Sequence, residues 1–322
     1  MSGLGWYLAR RVVWAAVVCV TAVVLTFFLI HLAPGDPIGI LAGERSTPEY
    51  QALLRAQLGL DQPLPVQLLR YLERLSRGDL GYSFTYQAPV ATVMASRLPP
   101  TLLLMGTSLA VAMVVGVWIG VRTAVGRGRP GWSLVTVASL VGYSVPAFWL
   151  GQILILLFGV MLGWFPILGM TSRIGATGIA YVADIAWHLV LPALTLGLIE
   201  IALISRLTRA AMIEVLAQDY IVAARGKGLA PRRVTYRHAL RNALLPVITV
   251  FGLELGWLVA GFVVVETVFG WPGLGRLTFD AISARDYPVI TGLFILVTST
   301  VVVANLLTDL LYTVVDPRIR YG

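Results

Sequence analysis

The sequence predicts an all-α polytopic membrane protein of about six transmembrane helices, with both termini cytoplasmic and a large polar insertion between the first two spans. Three observations carry this. The 322-residue chain is 58% hydrophobic and only 12% charged, with a mean hydropathy of +0.84, a balance foreign to soluble domains. Apolar runs of roughly twenty residues, enough to cross a bilayer, recur along it. Its arginines gather in particular short loops, the bias that orients membrane proteins. The formal charge of +8 does not point to nucleic acid, because no basic stripe interleaves with aromatics. Cys19 is the only cysteine, which excludes an intrachain disulfide, an iron–sulfur cluster and a cysteine-based zinc site.

Residues 1–32 read as an N-terminal anchor helix. Its apolar run, 12–32, follows Arg10-Arg11, is long enough to span, and lacks a small-residue cleavage site, so a signal peptide is the weaker reading. His31 at its end is interfacial rather than a ligand, having no second ligand near. The insertion, 33–98, balances Arg45, Arg55, Arg70, Arg74, Arg77 and Arg97 against Asp36, Glu44, Glu49, Asp61, Glu73 and Asp79, which suits the outer face. Pro48 opens a helix that Gly59 closes. Pro63 and Pro65 break the chain, and Leu68, Leu72 and Leu75 mark one face of a second helix suited to a membrane or partner surface.

The remaining core, 99–322, holds the other spans. The second lies near 100–121, and Arg122, Arg127 and Arg129 then occupy an acid-free loop, 122–131, which belongs inside. The third covers about 134–162, where Pro146 should kink or break the helix. The fourth follows Trp187-His188 and ends at Arg206. The fifth covers about 245–265, Gly270 to Arg276 makes an outer turn, and the sixth runs near 289–314. Arg318 and Arg320 then sit inside. Gly116/Gly120, Gly159/Gly163 and Gly252/Gly256 each form Gly-x-x-x-Gly, which permits close contact between helices of the same chain.

Charge inside hydrocarbon is expensive, so ionisable residues in the spans stand out. Glu200 lies near Arg206, which compensates it. Glu254, at mid-depth in the fifth span, is the candidate for a translocation path, with buried hydrogen bonding as the alternative. Asn305 and Asp309 share a face of the sixth span, either as path residues or as a structural pair. Glu266 and Trp271 are placed at the outer mouth, with Glu266 meeting water.

The longest charged interruption of the second half is the loop 206–246. Arg206, Arg209, Arg225, Lys227, Arg232, Arg233, Arg237 and Arg241 face only Glu214 and Asp219. Asp219 to Arg225 suits a short helix, Gly226 and Gly228 end it, and Pro231 fits the first turn of a second short helix. The result is a compact basic knob. Ala223 and Ala224, both small, would let another surface approach closely, and Gly228 should take a positive φ.

Ala223-Ala224, three residues, then Gly228 resembles the core of the EAA loop of binding-protein-dependent ABC importer permeases. DYIVAARGKGL (219–229) and RHALRNALLP (237–246) resemble its peptide and nickel branch. So do PGDP (34–37), LGLDQPLPVQ (58–67), GDLGYSF (78–84), SVPAFW (144–149), ETVFGWPGLG (266–275) and the terminal DPRIR (316–320). Val222 stands where the motif's namesake Glu would be, and Leu245-Pro246 closes the loop later than usual. The resemblance spans nearly the whole chain in the family's order. It implies the type I importer permease fold and, from the insertion, a B-type subunit. It also implies a C-type permease partner, two ATPase subunits that bind ATP and Mg, an extracytoplasmic substrate-binding protein, and a bacterial inner-membrane location. Ala223, Ala224, Arg225, Gly228, Pro231, Arg232 and Arg233 are then the ATPase-coupling residues. The implied cargo is di- or oligopeptides, with nickel and glutathione as alternatives, and the implied mechanism is alternating access.

Within the chain itself nothing suits catalysis. Lys227 follows Gly226, but Ile221 stands at the leading glycine position of a phosphate loop and Gly228 replaces its Ser/Thr; His31, His188 and His238 are dispersed, and Ser144 sits in no nucleophile elbow. No metal site and no cofactor of its own are expected. An ion-coupled secondary transporter is the rival reading, but the sequence shows no internal repeat, and a basic knob has no use there.

Overall fold

The computed structural model describes residues 2–32, 47–126, 131–132, 144–172, 175, 177–257 and 263–315. The chain is mostly helical and divides into two compact units, Met1–Pro99 with Leu277–Gly322, and Pro100–Arg276.

In the first unit α1 (Ser2–Leu32) packs along α12 (Tyr287–Val315). Among the described residues, two short helices follow α1. The first, α2 (Pro48–Leu58), begins at Thr47, whose hydroxyl accepts from Tyr50 N–H at 3.3 Å, and ends at Gly59 with φ +69°. Proline opens and glycine closes it, as the sequence requires. The second, α3 (Leu64–Ser76), has Pro65 in its first turn and buries no residue fully. Its Tyr71 ring stacks on Phe27 of α1, with centroids 6.1 Å apart. Burial there pushes the Tyr71 phenol up to about 12, only partly offset by Arg74, so the ring stays neutral at physiological pH. A small antiparallel hairpin, β1 (Tyr82–Ser83) with β2 (Ala88–Pro89), then leads into α4 (Val90–Val125).

α4 starts ten residues before the expected span and runs through Pro99-Pro100. The two prolines are the tenth and eleventh residues of α4, so the carbonyls of Ala95 and Ser96 lose their intrahelical amide donors while the helix continues. In the second unit Gly116 and Gly120 of α4 meet α6 (Gly178–Leu216). A Cβ on Gly116 would fall 2.9 Å from Ile204 Cβ, and one on Gly120 would fall 2.5 Å from Thr208 Cβ. This pair serves contact within the chain, as expected. Gly159/Gly163 does not form a helix-contact stripe: Gly163 has φ +63° and lies beyond the helix end. Pro146 breaks the third span outright, since α5 (Ala147–Leu154) starts after its extended backbone and continues as a π-helical turn, Ile155–Met161. α6 continues ten residues past Arg206, and Pro192 lies within it.

α7 (Asp219–Gly226) is followed by α8 (Pro231–Arg233), a π turn Val234–Ala239, and α9 (Leu240–Trp257) without a break in helical backbone. The second knob helix is therefore not short. It runs on without a break into the helix expected as the fifth span. α10 (Val263–Val268) and α11 (Leu274–Ala284) follow; only a turn was expected where α11 begins.

Among the described residues, three helices are long and apolar enough to cross a membrane: α4, α6 and the 287–304 part of α12. The expected third and fifth spans each include residues outside the described set, 133–143 and 258–262, as do the PGDP motif, Arg127, Arg129 and the terminal DPRIR.

Candidate functional site

Two places in the second unit concentrate polar chemistry, and both contain residues singled out by the sequence. The first is the basic knob. Asp219 opens α7 and Arg225 ends it, each the charge its helix end favours. The turn that follows uses Lys227 N–H to Ala223 O at 3.0 Å and Gly228 N–H to Arg225 O at 2.9 Å. Gly228 has φ +74°, and nothing lies within 4 Å of where its Cβ would be. Glycine is needed there for its conformation, not for space. Pro231 then sits in the first turn of α8. Tyr220 clips the knob together: Asn242 Nδ2 donates to its hydroxyl at 2.7 Å, and that hydroxyl points at His238 O at 3.5 Å.

One face of α7 turns inward. Ile221 is fully buried and Ala224 is 8% exposed, in a cluster with Met212, Val234, Ala239 and Ala243. This corrects the expectation that both alanines present themselves to a partner. Ile221 and Ala224 are three apart and share the core-facing side, so Ala224 is small for internal packing. Ala223 faces outward beside Val222, which is 59% exposed, and Arg225, Lys227, Arg232 and Arg233 are exposed as well.

The second place is a buried carboxylate. Glu266 and Trp271 are both 0% exposed, so Glu266, contrary to expectation, does not meet water. Glu266 Oε1 accepts from Thr101 Oγ1 at 2.8 Å, and Oε2 accepts from Arg276 N–H at 3.0 Å. The Thr101 hydroxyl in turn accepts from Leu274 N–H at 2.7 Å. The carboxylate and the hydroxyl thus satisfy the first orphan donors of α11. Trp271 Nε1 donates to Pro100 O at 2.8 Å, and Arg276 Nη1 to Gly270 O at 2.7 Å. A Cβ on Gly273 would collide with the Glu266 carboxylate and Thr101 Oγ1, and one on Gly275 would lie 2.8 Å from Val263 Cα. These glycines allow the turn to lie against the acid. The buried carboxylate is the centre of a structural knot, because α11's first turn needs acceptors where water is absent.

Asp184 was not singled out by the sequence. It accepts from Thr171 Oγ1 at 2.5 Å, Ser172 N–H at 2.9 Å and Ser172 Oγ at 3.1 Å. His188 Nδ1 lies 2.8 Å from Asp184 O and 3.5 Å from its Oδ1. An acid four residues before a histidine was the available signal. The cluster ties a loop to the start of α6. The side chains of Glu254, Asn305 and Asp309 lie outside the described residues, as does that of His31. Among the described residues, no group of His, Cys, Asp and Glu is placed to hold a metal.

Comparison with known proteins gives one answer along the whole chain. Residues 112–321 match the family described as binding-protein-dependent transport system inner membrane component, and residues 5–105 match its N-terminal companion. The chain is 43% identical to the di/tripeptide transport system permease protein DppB of Pseudomonas aeruginosa, over 98% of both chains. It is 41% identical to the glutathione transport system permease protein GsiC of Salmonella paratyphi A, over 98% of this chain and 99% of that one. Among solved structures it shares its fold with a chain of the inward-facing MetNI methionine ABC transporter, at a TM-score of 0.56 and 20% identity, over 70% of this chain and 97% of that one. With one family model covering well over half its length and such relatives end to end, the chain belongs to the family of inner membrane components of binding-protein-dependent transport systems.

Proposed function

We propose that the chain is the B-type permease subunit of a bacterial inner-membrane ABC importer that carries di- and oligopeptides into the cytoplasm. The observation that carries this reading is end-to-end identity of 43% with a di/tripeptide permease. A glutathione permease at 41% points the same way, since glutathione is itself a tripeptide. In this reading the chain has six spans with both termini inside, and pairs with a C-type permease. Two ATPase subunits bind ATP and Mg and dock on the knob, and an extracytoplasmic binding protein delivers cargo to the 33–98 insertion. Closure of the ATPases moves the knob. Because α8, the π turn and α9 form one continuous helix, that movement passes directly into the fifth span and re-packs the path. Glu254, Asn305 and Asp309 are the proposed path residues. The coupling surface comprises Ala223, Arg225, Gly228, Pro231, Arg232 and Arg233, with Ala224 supporting it from within.

The test is uptake of labelled dipeptides and tripeptides by the reconstituted complex, with and without ATP and binding protein, in wild type, Gly228→Val and Ala223→Glu. Uptake should require both, and each variant should fold and insert yet lose most ATPase co-purification and transport. Uptake that follows a proton gradient without ATP would overturn the importer reading. Wild-type co-purification in both variants would remove the coupling assignment alone.

A further inference from the structure

The first unit holds a buried acid that the reading above does not use. Asp286 is 6% exposed and stands just before α12, where its Oδ1 accepts from Val289 N–H at 3.4 Å, a helix cap. Its Oδ2 accepts from Ser83 Oγ at 2.5 Å, across 203 residues of sequence. Ser83 is 0% exposed and lies in β1, and its Oγ also accepts from Tyr86 N–H at 3.1 Å, which fixes the hairpin turn. A cap on its own needs no second strand and is usually wet. Here the carboxylate is dry, and the serine offsets that burial.

The position of this pair matters more than its strength. The hairpin is the covalent exit of the insertion. α3 ends at Ser76, Asp79 Oδ1 accepts from Gly81 N–H at 2.8 Å, and Gly81 O accepts from Val90 N–H at 3.0 Å as α4 begins. Beside it α4 and α12 touch so closely that a Cβ on Gly292 would lie 2.7 Å from Val90 Cγ1 and 2.9 Å from Met94 Sδ. The exit of the insertion, the start of α4 and the start of α12 therefore meet at the Ser83–Asp286 bond, with Leu80 and Gly81 also lying against α12. A described contact of α3 with α1, Tyr71 against Phe27, is a ring stack that can slide. The Ser83–Asp286 bond is directional and cannot slide without breaking.

We propose that Ser83 and Asp286 are positioning residues that pass a docking event on the insertion to the first turns of α4 and α12. This rests on the proposed docking of the binding protein on the insertion. A docked protein shifts α3, the hairpin moves with it, and the serine–aspartate link carries the shift into two membrane helices.

The experiment uses the full reconstituted complex and reads three quantities: affinity for loaded binding protein, basal ATP hydrolysis, and stimulation of hydrolysis by loaded binding protein. Ser83→Ala should reduce stimulation about fivefold, the scale of one net buried hydrogen bond, with affinity, basal rate and assembly unchanged. Asp286→Asn keeps the cap through its Oδ1 and can donate from Nδ2 to Ser83 Oγ, so it should keep most of the stimulation, whereas Asp286→Ala should lose it. If Ser83→Ala does not assemble, Ser83→Cys, near-isosteric with a weaker donor, must show the same selective loss. Wild-type stimulation in these serine variants would overturn the relay, as would a loss explained by weaker docking. A deletion of residues 48–76 separates the two claims: unchanged docking there would remove the docking reading and the relay with it. Weakened docking there, beside intact stimulation in Ser83→Ala, would remove the relay alone.

Discussion

The knob and the Glu266 knot lie in the same unit and are both built from a helix start, a glycine-bearing turn and a few polar side chains, yet they use these parts in opposite ways. In the knot the Glu266 carboxylate, the Thr101 hydroxyl and the Trp271 indole are turned inward and partnered, and Gly273 and Gly275 are glycines because a Cβ has nowhere to go. In the knob the glycine sits in open space at φ +74°, the bases are exposed, and the described polar tie from α7 to α9 is the Tyr220–Asn242 bond. The difference teaches how to separate a surface kept for a partner from one spent on the fold. Crowded glycines and buried acceptors mark internal architecture. An uncrowded glycine beside exposed bases and an exposed valine marks a surface shaped for something outside the chain.

The contrast can be broken most strongly at Ala224. Ala224→Glu places an unpaired carboxylate in the Ile221–Met212 cluster, and should cost ~3–5 kcal/mol and lower the yield of folded protein. Ala223→Glu, one residue away but outward, should leave thermal stability in detergent within about 0.5 kcal/mol and affect only assembly. Equal stabilities for the two would contradict the inward assignment. A smaller loss is expected in the knot. Gly273→Ala must push aside the Glu266 carboxylate and Thr101, so a drop of roughly 1–3 kcal/mol should appear in thermal unfolding of the purified chain. Co-purification of ATPases per folded molecule should not change. The smallest effect belongs to Arg232→Gln and Arg233→Gln taken singly. Both side chains are exposed, so stability should stay within about 0.5 kcal/mol, and ATPase retention should fall only when both are changed.

Much of this molecule was legible from residue order because the deciding forces were local or compositional. Proline at position 48 and glycine at 59 bound α2 whatever surrounds it, since ring geometry and positive φ act within a turn. Gly228 is the same case. Hydropathy and arginine placement declared a membrane protein because the bilayer is a solvent, and solvent preference is additive along the chain. The family motifs were long enough to be recognised without a fold. Tertiary structure alone decided the rest, wherever the answer depends on a neighbour distant in sequence. Ala223 and Ala224 are chemically identical, and only the cluster formed by Val121, Met212 and Ala239 assigns one inward and the other outward. Glu266 reads as a wet mouth residue until Thr101, 165 positions earlier, arrives beside it with the first turn of α11. Ser83 and Asp286 are unremarked polar residues in sequence and become a pair only across 203 positions. A side chain's conformational limits travel with the residue, but its burial and its partners are properties of the packed whole.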